Sequence, residues 1–260
     1  MVVITSEQRD VIFDAVQAMY TSVAARPDQE YHFPTGRRAL EHVGYPADYL
    51  NQLPVTAVES FAGVGYPFAA GVVRAGDTVL DIGSGSGTDA LLAALLVGPA
   101  GRAIGVDMTA AMREKCAANA RLAGLSNVDV LEGNAEVLPL PDASVDVVTS
   151  NGVINLVPDK RAAIAEIHRV LRPGGRVQIA DIVVADLPSD ACRAKPQLWA
   201  ECIVGATTEA DYLNMFRAVG FSEVERLGEL DYFSASTSES TRVTAGGFGA
   251  HSMVMRAFKP

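Results

Sequence analysis

The sequence is poor in cysteine, in basic residues and in long apolar runs. Three unevenly spaced cysteines among 260 residues do not supply a disulfide framework. Lysine and arginine number 21 against 31 acidic residues, and the net charge of −10 disfavours nucleic-acid binding, which needs clustered basic side chains. No run approaches the roughly 18 apolar residues of a membrane span. Acidic Glu7 and Asp10 interrupt the first ten residues, so we also expect no signal peptide.

These absences leave a soluble, cytoplasmic protein, and a hydrophobic content of 49% is enough for a sizeable core. Residues 1–75 lack a strand–helix rhythm. Apolar positions at helical spacing predict one helix over residues 7–25, and proline and glycine interrupt the chain repeatedly after it. We therefore expect two units, an N-terminal helical cap or substrate lid over residues 1–75 and a main domain over residues 76–260.

Strand-like and helical segments alternate from residue 77, which predicts an α/β fold with a parallel sheet covered on both faces. The tail changes to strand-like segments that could pair as an antiparallel hairpin at the sheet edge. Between them, the Ser- and Thr-rich stretch 234–244 predicts a loop or hairpin tip. The predicted strands lie at residues 78–82, 103–107, 128–131, 145–150, 176–182, 222–226 and 252–258.

The strongest chemical signal is the stretch VLDIGSGSG at residues 79–87, which precedes a helical segment. Glycine at every second position allows close approach of a ligand to the backbone, and such loops bind nucleotide-like cofactors in open α/β sheets. Asp107 lies at the carboxyl end of the next predicted strand, where a carboxylate can accept both ribose hydroxyls. NAD sites and S-adenosylmethionine sites share this arrangement, so these residues alone do not choose between them.

Five motifs in order extend the signal: VLDIGSGSG at 79–87, GVDM at 105–108, GNAEVLP at 133–139, DVVTSN at 146–151 and RVLRPGG at 169–175. As a set they resemble the class I S-adenosylmethionine-dependent methyltransferases over about residues 75–225. The resemblance implies a Rossmann-like, seven-stranded, mostly parallel sheet with one antiparallel strand. It also implies S-adenosylmethionine as the cofactor.

The resemblance further implies which residues meet each part of the cofactor. The methionine moiety would be surrounded by Asp81, Gly83, Ser84 and Gly85. The ribose would be held by Asp107, and the adenine would contact Met108, Asn134 and Ala135, with the Asn134 oxygen accepting from the adenine amino group. Ser150 and Asn151 would face the transferring methyl group.

Three further stretches resemble the arsenite methyltransferases: SNGVINLVPDK at 150–160, CIVGA at 202–206 and, more loosely, FAGVGYP at 61–67. That group holds trivalent arsenic with thiolates, because a soft centre prefers sulfur. At two of the positions where that group has cysteine, this sequence has Val64 and Gly152, and only the third cysteine, Cys202, is present. We therefore expect a small organic methyl acceptor, with arsenite or another metalloid as the alternative.

The candidate catalytic residues are His32, Asn151 and Cys202. His32 is a possible general base and, with Tyr31, is expected to close over the bound cofactor. Cys202 is either a packing residue or part of the acceptor pocket, and its thiolate pKa would decide. No metal site is predicted, and no prediction of the oligomeric state is made.

Two other function classes remain in competition. A non-catalytic, cofactor-binding protein would keep the fold without turnover. An NAD-dependent oxidoreductase is disfavoured because Thr88 stands where a third spaced glycine would fall and because of the later methyltransferase-like motifs.

Overall fold

The computed structural model describes residues 5–189, Trp199 and residues 203–260. In this part of the chain, one seven-stranded sheet has the order β3-β2-β1-β4-β5-β7-β6. The strands are β1 Thr78–Ile82, β2 Arg102–Asp107, β3 Val128–Glu132, β4 Val145–Asn151, β5 Leu171–Val183, β6 Ser222–Leu230 and β7 His251–Phe258. β1 to β5 pair in parallel, whereas β7 is antiparallel to both β5 and β6. The mostly parallel sheet predicted from the sequence is confirmed.

The helices of the described residues are α1 Ser6–Ala25, α2 Gly36–His42, α3 Ala47–Leu50, α4 Val55–Val58, α5 Thr88–Val97, α6 Ala110–Leu122, α7 Lys160–Val170, α8 Glu209–Val219 and α9 Glu239–Phe248. Thr5 and Gln8 form a reciprocal capping box at α1, and the side chains of Asp159 and Thr208 accept from the N–H groups of Ala162 in α7 and Asp211 in α8. The helices α2 to α6 begin without a side-chain cap.

The Ser- and Thr-rich stretch near residue 240 is helical, which corrects the prediction of a loop or hairpin tip. A 3-10 turn at Tyr232–Ala235 and then α9 connect β6 to β7. The Ser238 side chain accepts from the Thr241 N–H at 3.2 Å and caps α9. The small polar residues therefore start a helix instead of forming a tight turn.

Two apolar clusters cover the two faces of the sheet. One contains α7 and α8 side chains packed on residues such as Leu80 and Val148. The other contains α5 together with the apolar residues of the N-terminal segment, packed on residues such as Val79 and Val147. Because residues 5–75 share this core with the sheet, their packing positions α1 beside α6. The boundary at residue 75 stays a prediction. Within the described residues, no helix has both the length and the apolar character to span a lipid bilayer.

Candidate functional site

A cavity opens at the carboxyl ends of β1, β2 and β4. The sheet order reverses between β1 and β4, and open α/β sheets bind ligands in the crevice beside such a point. The opposite wall of the cavity is formed by the α1 residues Phe13, Val16 and Tyr20. The cavity therefore lies between the sheet and the N-terminal segment.

The glycine-rich loop forms the floor of this cavity. Gly83, Gly85 and Gly87 all have positive φ values, of 70°, 53° and 100°. A Cβ atom at Gly83 would overlap Val153, and one at Gly87 would lie 2.8 Å from the Cys116 sulfur. The loop conformation therefore requires glycine, as the sequence predicted.

Asp107 stands at the end of β2 with both carboxylate oxygens engaged. Oδ1 accepts from the Thr109 N–H at 2.8 Å, and Oδ2 accepts from the Gly85 N–H at 2.9 Å. Burial raises the pKa of Asp107, and these backbone donors act in the opposite direction by stabilising the charged form. The carboxylate is thus held rigidly on the cavity wall beside Met108. The Thr109 side chain is a third donor to this carboxylate, so one of its four lone pairs is left for a ligand hydroxyl.

Asp81, at the end of β1, is in the opposite situation. Its side chain is 2% exposed, and Oδ2 has no hydrogen-bond partner among the described residues. Burial raises the pKa of Asp81, and the nearby charges of Asp89 and Asp107 raise it further. A buried, unsatisfied carboxylate oxygen is costly unless a donor or a cation meets it. The α-ammonium group of an S-adenosylmethionine cofactor is such a cation, so the residues present fit that cofactor.

Asn134 and Ala135 also line the cavity, after β3. The Asn134 side-chain oxygen accepts from the backbone N–H groups of Glu136 at 2.9 Å and Val137 at 3.1 Å. Both lone pairs of that oxygen are therefore used inside the turn. The predicted acceptor for the adenine amino group is already engaged, and the amide nitrogen of Asn134 is the group left for a ligand.

Asn151, at the end of β4, fastens the N-terminal segment to the sheet. Its Oδ1 accepts from the N–H groups of Val64 at 2.7 Å and Gly65 at 3.1 Å. Its Nδ2 donates to the Gly65 carbonyl at 2.9 Å and to Asp89 Oδ2 at 3.0 Å. The side chain lines the cavity, but its amide is committed to these contacts.

A buried carboxylate and phenol complete this corner of the cavity. The Tyr45 hydroxyl donates to Asp89 Oδ1, and Asn151 Nδ2 lies 3.1 Å from the same hydroxyl. Burial raises the pKa of Asp89 to about 6, although the Tyr45 and Asn151 hydrogen bonds favour its charged form. Burial and then the Asp89 charge raise the pKa of Tyr45 well above its usual value. Tyr45 therefore stays protonated at neutral pH, and Asp89 titrates near pH 6.

Three predicted site residues lie away from the cavity lining. The Tyr31 hydroxyl donates to the Arg26 carbonyl at 3.0 Å, within the N-terminal segment. The His32 ring packs edge-on against Phe33. The Ser150 hydroxyl is fully buried and donates to the Ile82 carbonyl at 3.3 Å. Their predicted roles at the cofactor stay predictions.

Val64 and Gly152, which stand at two of the cysteine positions of the arsenite methyltransferases, are neighbours in space. A Cβ atom built on Gly152 would lie 3.0 Å from Val64 Cγ1. Val64 is 1% exposed, so its methyl groups occupy the space that a thiol would take. The third position, Cys202, lies outside the described residues.

Sequence reasoning missed Asp89 and the α1 side chains, which line the cavity, and also Tyr45, which donates to Asp89. Asp89 carried a local signal, because it follows the glycine loop in the first turn of α5. Tyr45 carried none, because its partners Asp89 and Asn151 are 44 and 106 residues away along the chain.

Comparison with known proteins agrees with this geometry. A family model described as a methyltransferase domain matches residues 74–220. The chain belongs to this family. S-adenosylmethionine, expected from the sequence, is the cofactor of the methyltransferase family to which these residues belong.

Among curated relatives, an arsenite methyltransferase of Halobacterium salinarum is 42% identical over 186 residues, which cover 71% of this chain and 47% of that protein. An arsenite methyltransferase of Aquipseudomonas alcaligenes is 37% identical over 62% of this chain and 53% of that protein. The chain thus spans about half the length of these curated relatives.

Among solved structures, an arsenic(III) S-adenosylmethionine methyltransferase from Chlamydomonas reinhardtii superposes with a TM-score of 0.67 and 33% identity. That match covers 87% of this chain and 74% of the other. A [4+2]-cyclase superposes with a TM-score of 0.64 at 20% identity and shares the fold alone.

Proposed function

We propose that this methyltransferase-family protein transfers a methyl group from S-adenosylmethionine to a small-molecule acceptor. The observation that carries the proposal is the unsatisfied Asp81 oxygen on the wall of a cavity floored by the glycine loop. Two further features support it, namely the rigid Asp107 carboxylate and the family match. When bound, the cofactor supplies an electrophilic methyl group on a sulfonium centre.

The residues of this chain then have binding and positioning tasks. Asp81 would neutralise the ammonium group, with Gly83, Ser84 and Gly85 around the same moiety. Asp107 would accept a hydrogen bond from the ribose. Met108, Ala135 and the Asn134 amide nitrogen would meet the adenine. Aligning acceptor and methyl group while excluding water can itself contribute about 7–11 kcal/mol to catalysis.

An organic acceptor is favoured over arsenite by the corner where Val64 faces Gly152, because apolar groups stand where sulfur ligands would be needed. Arsenite methylation remains the second candidate because the named relatives are arsenite methyltransferases. The catalytic roles of His32, Asn151 and Cys202 and the closure by Tyr31 belong to the same proposal. A small-molecule partner and a cytoplasmic location are supported by the net charge of −10 and the low cysteine content.

Calorimetric titration with S-adenosylhomocysteine tests the cofactor site, with NADH as the control ligand. We expect tight binding of S-adenosylhomocysteine and none of NADH. Arsenite is then titrated into the complex, and we expect no further heat. Binding of NADH alone would overturn the proposal. Cofactor binding without methyl transfer to any acceptor would indicate a non-catalytic binding protein.

A further inference from the structure

We propose that Asp89 takes a proton from the methyl acceptor and that the acceptor is a phenol, with Tyr45 and Asn151 as positioning residues. This inference rests on the proposed methyl transfer and names the acceptor class for the same cavity. Asp89 is a buried carboxylate to which no part of the cofactor has been assigned.

Asp89 differs from the two carboxylates assigned to the cofactor. Asp107 is held by backbone donors at the end of β2, and Asp81 has a free oxygen at the end of β1. Asp89 instead lies in the first turn of α5, on the cavity wall, and is only 6% exposed. Its two hydrogen-bond donors both come from outside α5, which orients the carboxylate towards the β4 side of the cavity.

These two donors leave room for a third partner. The Tyr45 hydroxyl engages Oδ1 and the Asn151 amide engages Oδ2, so each oxygen keeps a lone pair. The donors stabilise the anion and prevent the carboxylate from rotating. A base held in this way at the edge of a cavity can accept a proton from a ligand hydroxyl.

The apolar lining of the cavity matches an aromatic acceptor. Phe61, Leu156 and Val157 line the same cavity, and Tyr45 packs edge-on against Phe61 with ring centroids 5.3 Å apart. Aromatic rings favour such walls, and a buried hydroxyl needs a polar partner. An aromatic molecule with one acidic O–H group satisfies both demands.

The reaction balances without another reactant. The phenol O–H bond breaks, its proton passes to the Asp89 carboxylate, and the electron pair stays on oxygen. That oxygen forms the new bond to the methyl carbon, while the carbon–sulfur bond breaks and its electron pair goes to sulfur. The products are a methyl ether, S-adenosylhomocysteine and protonated Asp89, which releases its proton to solvent when the products leave.

Charged and titratable groups face Asp89 from three elements. Tyr45 approaches from the loop between α2 and α3, Asp81 from β1, and Tyr66 from the segment before β1. Both tyrosines stay protonated near neutral pH because burial raises their pKa values, that of Tyr66 to about 12. Burial and then the Asp89 charge raise the pKa of Asp81. An ammonium group against Asp81 would favour its charged form.

The test compares the wild-type protein with D89N and Y45F, using methyl-labelled S-adenosylmethionine. The acceptors are phenol, 4-chlorophenol and 4-nitrophenol, which increase in acidity, together with a simple thiol and arsenite. Asp129→Asn is the matched control, because this carboxylate is exposed and pairs with Arg102 on the β2–β3 side of the sheet.

We expect D89N to slow methylation of phenol by about 10²-fold or more, the usual contribution of a general base. Its effect should be less than about tenfold for 4-nitrophenol, which is already ionised at alkaline pH and needs no base. Y45F should move the acid limb of the wild-type pH profile to higher pH, because the lost hydrogen bond stabilises the Asp89 anion. An equal loss for all phenols would indicate a structural role and overturn the proposal.

A second readout does not depend on turnover. With the aspartate carboxyl carbons isotopically labelled, two NMR signals should titrate near pH 6, those of Asp89 and Asp181. One of the two should disappear in D89N and titrate at higher pH in Y45F, while the Asp181 signal stays unchanged. S-adenosylhomocysteine should bind D89N within about threefold of wild type, and a larger loss would make Asp89 a cofactor ligand instead. Transfer to arsenite or the thiol but to no phenol would overturn the acceptor class and leave the proposed function intact. Absence of S-adenosylhomocysteine binding would instead refute the proposed function itself.

Discussion

The carboxyl ends of β1 and β2 and the carboxyl end of β4 use polar side chains in different ways. At β2, the Asp107 carboxylate is held by N–H groups of Thr109 and Gly85, which belong to the adjacent loops of the sheet. At β4, the Asn151 amide binds Val64 and Gly65, which lie 87 and 86 residues earlier in the chain. The first region is built from neighbouring loops, whereas the second is built by the docking of the N-terminal segment.

The difference teaches that one cavity can have walls of different origin. The cofactor side depends on glycine conformation and strand ends, so it forms with the sheet itself. The acceptor side depends on an interface that must assemble before Asn151, Tyr45 and Asp89 come together. Substitutions between the N-terminal segment and the sheet should therefore lower stability and turnover. Substitutions in the glycine loop or at Asp107 should lower cofactor affinity.

The largest effect is expected from Asn151→Ala. It leaves the buried N–H groups of Val64 and Gly65 without acceptors, and such losses cost about 1–3 kcal/mol each. We expect the free energy of unfolding to fall by about 2–4 kcal/mol in denaturant titration. Asn214→Ala, on the exposed face of α8, is the control and should change it by less than about 0.5 kcal/mol. Equal stability of the two variants would show that the Asn151 hydrogen bonds do not hold the N-terminal segment on the sheet.

The next effect concerns pH. Burial raises the pKa of Asp89 from 3.8 to about 6, so the folded cofactor-free protein binds a proton that the unfolded chain releases in that window. Stability should therefore increase as pH falls from about 6 towards 4, on the order of 2 kcal/mol for this group. Asp181, with a pKa raised to about 6 by burial, acts in the same direction. Asp89→Asn should flatten the measured profile of unfolding free energy against pH, and an unchanged slope would contradict the assignment.

Carboxylates with lowered pKa values affect a different window. The hydrogen bond from Arg169 lowers the pKa of Glu166, and the stability from this pair is lost only as pH falls below the ordinary carboxyl value. The two contributions therefore have opposite signs and separate pH ranges.

Asp107→Ala tests the cofactor side. Removing the proposed ribose acceptor should weaken S-adenosylhomocysteine binding by at least about tenfold, or roughly 1.4 kcal/mol, in calorimetry. Asp129→Ala, at an exposed carboxylate, is the matched control and should bind normally. An unchanged dissociation constant for Asp107→Ala would remove this residue from the ribose site.

A smaller effect is expected at Tyr31. Because its hydroxyl bonds to the Arg26 carbonyl and lies 3.1 Å from the Ser22 hydroxyl, Tyr31→Phe should lower the unfolding free energy by about 1 kcal/mol. If Tyr31 or His32 closes over the cofactor, Tyr31→Ala or His32→Ala must also weaken S-adenosylhomocysteine binding. Unchanged affinity and turnover in both alanine variants would reject the predicted closure.

The smallest effect is expected from Ser150→Ala, because the hydrogen bond from Ser150 to the Ile82 carbonyl is long, at 3.3 Å. The unfolding free energy should change by less than about 1 kcal/mol, with normal cofactor binding. A tenfold loss of turnover at unchanged stability would instead support the predicted contact of Ser150 with the methyl group.

The sequence by itself determined the α/β class, the glycine loop and the carboxylates Asp81 and Asp107, and the family resemblance implied the seven-stranded, mostly parallel sheet. These features depend on local patterns, because strand periodicity, glycine spacing and the end of a strand can each be recognised from a few consecutive residues. The Asn134 oxygen is occupied locally, by N–H groups two and three residues ahead in the same turn. Only the tertiary structure decided the fate of Asn151, whose side-chain oxygen accepts from Val64 and Gly65 of the N-terminal segment. It alone brought Tyr45 to Asp89, because a contact across 44 residues arises from the packing of the N-terminal segment on the sheet and leaves no periodic signal in the sequence.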